Sequence, residues 1–312
     1  MHLVVSYTGE NVESMPKLTS CILLMRPKQW IKNLFLFIPV FFAGEIFNLG
    51  KVCDVLVAIV AFSFIASSIY IINDIQDIDS DRIHPVKKYR PLAMGSLTVG
   101  RAWVLFVICA MTGFGISYFL GIKLLFVCIL YFILNIAYSF GLKNISIVDV
   151  FILSIGFVLR VKVGGVAADV ATSSWLNIMV FLLALFMAIA KRRDDLLIKN
   201  RINVDVRKSI RGYNIDFLSV SLGLISAVIL VAYLMYTISP EVNRHFETYR
   251  MYYTTLFVLG GLMRYLQLTF VENKSGSPTK LLYKDRFIQI TILLWLVSFY
   301  FLIYFKDTRL FS

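Results

Sequence analysis

The sequence predicts an all-α, polytopic membrane protein, and three observations predict it. Apolar residues make up 59% of the chain and charged residues 16%, whereas a soluble domain carries roughly half and a quarter. Apolar stretches of about 20 residues, enough to cross a hydrocarbon core roughly 30 Å thick, recur along most of the length. Runs such as IVAFSFIASSIYII and NIMVFLLALFMAIA lack the alternation of a barrel strand. Backbone in lipid must bond to itself, so these runs are helices. A soluble globular protein, a disordered chain, a disulfide scaffold and a repeat solenoid are excluded on the same grounds.

Nine spans are expected, at 31–49, 52–73, 99–119, 122–140, 145–167, 175–192, 215–238, 250–271 and 286–306, in one domain over 1–312. Residues 1–20 lack the cationic and apolar blocks of a signal peptide and read as a short cytoplasmic arm. Cys21, Cys53, Cys109 and Cys128 lie in or beside apolar runs, where a free thiol behaves as a small hydrophobe, so no disulfide is implied. The N-terminal arm and the loops after spans two, four, six and eight hold 22 of the 31 Lys and Arg residues, and the other face holds 6. That asymmetry places the arm and those loops in the cytoplasm. Two of the loops, 74–98 and 193–214, are long and polar enough to carry function. Arg160, Lys162 and Arg264 fall inside predicted spans, and Arg264 has no identifiable partner in the sequence.

The second span ends in IINDIQDIDSDRIHPVKKYRPLAMG. At about 100° per residue, Asp74, Asp77 and Asp81 fall on one helical stripe bordered by Asn73, and Asp79 points about 140° away. Such a stripe is a solvated helix end balanced by Arg82 and Lys87, or it is a divalent-cation site. Mg²⁺ suits three carboxylates at a membrane boundary, because it takes one or two of them, keeps waters and completes its shell with substrate phosphates. Lys87, Lys88 and Arg90 follow on a short loop bounded by Pro85 and Pro91. They read as a positive-inside anchor or as the cationic half of a clamp on a Mg–diphosphate.

Asn73-Asp74-x-x-Asp77-x-x-x-Asp81 followed by Arg90-Pro91-Leu92-Ala93-x-Gly95 resembles the UbiA superfamily of membrane prenyltransferases. The resemblance covers nearly the whole chain and implies nine helices around a central cavity open to the cytoplasm. Aromatic prenyltransferases of that superfamily carry a second aspartate-rich motif after helix six. Here the stretch reads Ala190-Lys191-Arg192-Arg193-Asp194-Asp195-Leu196, with cations where the acids are expected to begin. Further stretches resemble the decaprenyl-phosphate phosphoribosyltransferase branch. They are Arg26-Pro27-Lys28-Gln29-Trp30-Ile31-Lys32-Asn33, His84-Pro85-x-Lys87-x-x-Arg90-Pro91, Tyr138-Ser139-x-x-Leu142-Lys143 with Asp149, and Gly156-Phe157-x-x-Arg160 with Gly164-Gly165.

That resemblance implies transfer of 5-phosphoribose from phosphoribosyl diphosphate to a polyprenyl phosphate in a bacterial cytoplasmic membrane, towards a lipid-linked pentose donor for cell-wall polysaccharide. Asp74, Asp77 and Asp81 are the expected catalytic and Mg²⁺-binding residues. Lys28, Lys32, Asn33, Asn73, Lys87, Arg90, Tyr138, Lys143, Asp149, Arg160, Lys191 and Arg192 are the expected substrate contacts, with Arg160 and Asp149 as a candidate pair. Tyr138 reads as a ribose or phosphate contact, or as part of an aromatic belt. His84 is the one histidine near the site and reads as shaping its loop or as a phosphate contact. The acceptor phosphate is anionic at neutral pH, so no general base is needed. The lipid bilayer is an expected partner, nucleic acid is not, and a homo-oligomer is left open. An aromatic prenyltransferase is the main alternative, and a non-enzymatic carrier is the alternative of another class.

Overall fold

The computed structural model describes residues 16–83, 87–202, 208–246, 248–272, 281 and 284–304, and every regular element among them is helical. In chain order, α1 is Lys17–Met25, a 3₁₀ segment covers Pro27–Phe37, α2 is Ile38–Phe42, α3 is Leu49–Gln76, α4 is Ile78–Ile83, α5 is Val99–Leu120 and α6 is Ile122–Ser139. There follow α7 at Val148–Ala167, α8 at Ser174–Ile202, α9 at Ile215–Ile238, α10 at Pro240–Phe246, α11 at Thr255–Phe270 and α12 at Arg286–Tyr304.

Six helices among the described residues are long and apolar enough to cross a membrane: α3, α5, α6, α7, α8 and α9. The chain is a multi-pass membrane protein of the all-α class. The expected count of nine is not reached among the described residues. Of the other three expected spans, 286–306 meets a shorter apolar helix, Arg286–Leu302, within α12. The span at 250–271 becomes a 3₁₀ turn at Met251–Thr254 followed by the 16-residue α11. The span at 31–49 is not one helix, because its first part lies in the 3₁₀ segment and its second in the five-residue α2. The segment also packs closely: a Cβ on Gly164 of α7 would sit 2.0 Å from the Leu36 carbonyl oxygen, so it lies backbone to backbone against α7 there.

Two compact units make up the chain. The first takes the described parts of Met1–Val40, Ile46–Ser139 and Leu159–Val170, and the second takes Phe41–Glu45, Phe140–Val158 and Ala171–Ser312. In the first unit α3 is central. From Ala61 to Ile72 nearly every residue is buried, as expected of a helix that is apolar all round. Val55, Phe62 and Ile65 pack with Leu36, with Leu124, Cys128 and Tyr131 of α6, and with Leu159 and Val163 of α7. Two serines of α3 find carbonyls within reach, Ser67 Oγ lying 2.8 Å from those of Ser63 and Met25 and Ser68 Oγ donating to that of Ile65 at 2.7 Å.

In the second unit Leu218, Leu222, Ile225 and Ile229 form one stripe of α9 against Leu185, Phe186 and Ile189 of α8 and Tyr265 and Leu268 of α11. Arg264 of α11 gains partners that the sequence did not reveal: it donates to Asp285 at 2.8 Å and to Glu272 at 2.9 Å. These bonds clip the C-terminal half of α11 to the start of α12.

Candidate active site

The acidic stretch is folded differently from a continuous helix. α3 stops at Gln76, and Asp77 has φ −92° and ψ 5°, outside helical values, before α4 resumes at Ile78. The one-stripe expectation is therefore corrected. Asp74 and Asp81 converge, while Asp77 sits on the turn and accepts from Asn73 Nδ2 at 3.1 Å. Asp79 is exposed and, among the described residues, pairs with Arg82 at 3.5 Å, away from the cluster as its offset suggests.

Arg90 joins the two converging carboxylates. Its Nη1 donates to Asp74 Oδ1 at 3.0 Å and to Asp81 Oδ2 at 2.6 Å. The loop that presents it is shaped by its sequence. Pro91 accepts from the Ser96 hydroxyl at 3.1 Å, Gly95 takes the left-handed φ of 78° that its turn requires, and Leu92 and Leu97 bury against Leu24 and Ile71. Lys87 Nζ approaches Asp81 Oδ1 at 3.9 Å. Arg26, left-handed at the end of α1, ion-pairs with Asp74 Oδ1 and lies 5.2 Å above the Tyr70 ring. Both carboxylates are 2% exposed, so the guanidinium groups offset a desolvation cost of several kcal/mol per ion.

Among the described residues no group of three or more His, Cys, Asp or Glu side chains is arranged to hold a metal ion. The donor set nevertheless fits Mg²⁺. The buried Oδ1 of Asp81 makes no hydrogen bond, and Mg²⁺ needs only one or two carboxylates when substrate phosphates complete its shell.

A second polar layer crosses the first unit. Asn33 Nδ2 donates to Ser63 Oγ at 2.8 Å and Trp30 Nε1 to Ser67 Oγ at 3.0 Å. Arg160, 6% exposed, donates to Asn33 Oδ1 at 3.3 Å and to the Tyr131 hydroxyl at 2.8 Å, and its guanidinium lies 5.0 Å from the Tyr131 ring centre. The candidate pairing of Arg160 with Asp149 gives way to this one. Eleven residues of helix put the two about 16 Å apart along the axis.

Asp149 belongs to a cluster in the second unit. Its Oδ2 accepts from Arg192 Nε at 2.6 Å and from Ser209 Oγ at 3.0 Å, and its Oδ1 accepts from the Tyr213 hydroxyl at 2.8 Å. Arg192 Nη1 also donates to Asp195 at 3.1 Å, and Lys191 Nζ lies 3.5 Å from Asp195. The sequence reading set Asp149 and Arg192 among the substrate contacts. The structure places both inside the protein, bonded to each other.

Lys28, Lys32 and Lys191 are exposed, and Tyr138 and Lys143 are half-buried. His84 lies outside the described residues. Sequence reasoning missed Arg26, Tyr131, Ser209 and Tyr213 as members of these clusters. Only Arg26 carried a signal, since it opens the Arg-Pro-Lys-Gln-Trp stretch.

A family model for the UbiA prenyltransferase family matches residues 34–297. The chain belongs to the UbiA prenyltransferase family. Within that family it is 34% identical over 292 residues to a decaprenyl-phosphate phosphoribosyltransferase of Mycolicibacterium smegmatis, covering 90% of this chain and 92% of the relative. It is 32% identical to the decaprenyl-phosphate phosphoribosyltransferase of Corynebacterium glutamicum, covering 87% of this chain and 82% of the relative. The UbiA fold is also seen in a homologue from Archaeoglobus fulgidus bound to DMAPP and Mg²⁺, which superposes with a TM-score of 0.68 at 18% identity, covering 91% of this chain and 99% of that one.

Proposed function

We propose that this UbiA-family protein transfers 5-phosphoribose from phosphoribosyl diphosphate to a decaprenyl-type polyprenyl phosphate, releasing diphosphate. The observation that carries the reading is the Asp74–Arg90–Asp81 cluster with its unsatisfied carboxylate oxygen, in a chain whose full-length relatives are phosphoribosyltransferases of that name. Asp74 and Asp81 would hold Mg²⁺, with Asp77 supporting from the turn, and the bound ion would supply charge neutralisation to the departing diphosphate.

Arg90, Arg26 and Lys87 stand within reach of the same carboxylates and bind the diphosphate oxygens by charge-assisted hydrogen bonds. The bond from ribose C1 to the diphosphate oxygen breaks as C1 gains oxocarbenium character, and an oxygen of the lipid phosphate forms the new bond to C1. That nucleophile arrives anionic, so no side chain needs to remove a proton. Lys28, Lys32, Asn33, Asn73, Tyr138, Lys143, Arg160 and Lys191 are the further proposed substrate contacts. The site opens to the cytoplasm from the bacterial inner membrane, on the side marked by the Lys and Arg excess, and the product serves a lipid-linked pentose donor for cell-wall polysaccharide.

The purified protein with Mg²⁺ is to be given labelled phosphoribosyl diphosphate with decaprenyl phosphate and, separately, labelled prenyl diphosphate with a hydroxybenzoate. Label is expected in the lipid product of the first reaction. Product only in the second would replace this reading with aromatic prenyl transfer.

A further inference from the structure

The turn into α7 is strained, and nothing about its side chain requires the strain. Ile147 has φ 70°, a conformation that a β-branched residue rarely adopts. Its side chain is 51% exposed, so the strain does not serve to bury it. Such a conformation persists when the surroundings hold it, and it is found most often where function needs a fixed geometry.

The 208–213 stretch does the holding. The Tyr213 hydroxyl accepts the Ile147 N–H at 2.5 Å while donating to Asp149. Ser146 Oγ donates to the Ser209 carbonyl at 2.7 Å. Gly212 allows the approach, since a Cβ there would lie 2.2 Å from Ser146 Oγ. Tyr213 is 8% exposed, and Asp149 and Ser209 are closed to solvent. On the other side of the strained turn, three residues before Ser146, the 3₁₀ turn Leu142–Asn144 carries Lys143.

We propose that Tyr213 is a positioning residue: its hydroxyl fixes the Ser146–Ile147 turn and thereby sets Lys143 to bind a phosphate of one of the two substrates. The inference rests on the phosphoribosyl transfer proposed above. Two phosphates share the chemistry, the 5-phosphate of the donor and the phosphate of the lipid acceptor. Separate titrations of the two substrates tell them apart.

The test is a double-mutant cycle on the full-length protein, with KM and kcat measured for phosphoribosyl diphosphate and for decaprenyl phosphate. Tyr213→Phe is expected to raise one of the two KM values about 5- to 10-fold, the scale of one lost hydrogen bond, with kcat held within about twofold. Lys143→Ala should raise the same KM, and the double variant should match Lys143→Ala alone, because the hydroxyl acts through the lysine. Multiplying effects, a rise in the other KM only, a fall in kcat with both KM values unchanged, or no effect would each overturn the proposal. Should Tyr213→Phe fail to fold, Ser146→Ala, which deletes the bond to Ser209, takes its place in the cycle. Wild-type protein in the same assay separates the readings: an inactive wild type refutes the phosphoribosyl transfer, whereas an active one with an additive cycle refutes only the role of Tyr213.

Discussion

Arg192 donates its Nε–H to Asp149 Oδ2 over 2.6 Å, with the two side chains 1% and 0% exposed. Removing one partner leaves the other buried and charged, which costs about 3–5 kcal/mol in such pairs. Asp149→Ala is therefore expected to lower the melting temperature in detergent markedly. Lys191→Ala, which removes a side chain 47% exposed and leaves the buried Asp195 its bond to Arg192, should move it much less. Equal melting temperatures for the two variants would contradict the interior assignment of Asp149.

The carboxylates at the end of α3 give a graded expectation. Asp81→Asn, which alters a buried carboxylate oxygen that makes no hydrogen bond, should reduce turnover by at least about 100-fold, as losses of transition-state charge stabilisation do. Asp79→Asn, at a side chain 98% exposed, should leave turnover unchanged. Initial rates at saturating Mg²⁺ decide the matter, and normal turnover in Asp81→Asn would remove it from the metal set.

Gly164→Ala is expected to be among the most damaging small substitutions. Its Cβ would fall 2.0 Å from the Leu36 carbonyl oxygen, a backbone atom that no rotamer change can move aside. Overpacking of this kind costs roughly 1–3 kcal/mol. A thermal shift assay should show the loss, whereas Gly115→Ala, with open space around it, should melt like the wild type.

Acid should loosen the junction of α11 and α12. Hydrogen bonding from Arg264 holds the Asp285 carboxyl below its usual range. A depressed carboxylate contributes stability that is present above its unfolded pKa, near 3.9, and is lost as pH falls through the folded value. Melting temperature should thus fall on acidification below about pH 4, and Asp285→Asn should flatten that part of the profile. An unchanged acid limb in the variant would show that this pair does not contribute to it.

Much of the fold was legible because its signal is apolar length. Helices α3, α5, α6, α7, α8 and α9 lie where the apolar runs lie. The segment 31–49 misled because hydropathy records what surrounds a chain and not how tightly it is wound, and Trp30, Asn33 and Gly164 only reveal their contacts in three dimensions. The converging pair Asp74 and Asp81 was legible from its motif. The break at Asp77 was not, since a single residue leaving helical angles keeps the sequence pattern intact. Arg160 was legible as a costly intramembrane charge, but a nearby aspartate in the sequence suggested a partner that helical rise puts out of reach. Tyr213 carried no signal, because its bond to Ile147 depends on a loop 66 residues away.

The hydrogen bonds of Trp30 and Asn33 to Ser67 and Ser63 bear on how the chain is made. Residues 27–37 leave the ribosome before α3 does, and on their own they would bring an indole N–H and a carboxamide into hydrocarbon with nothing to receive them, at several kcal/mol for each unmet group. The two serines that receive them sit 37 and 30 positions downstream. These bonds can therefore form only once α3 has been made, so the earlier stretch waits on the later one for its partners.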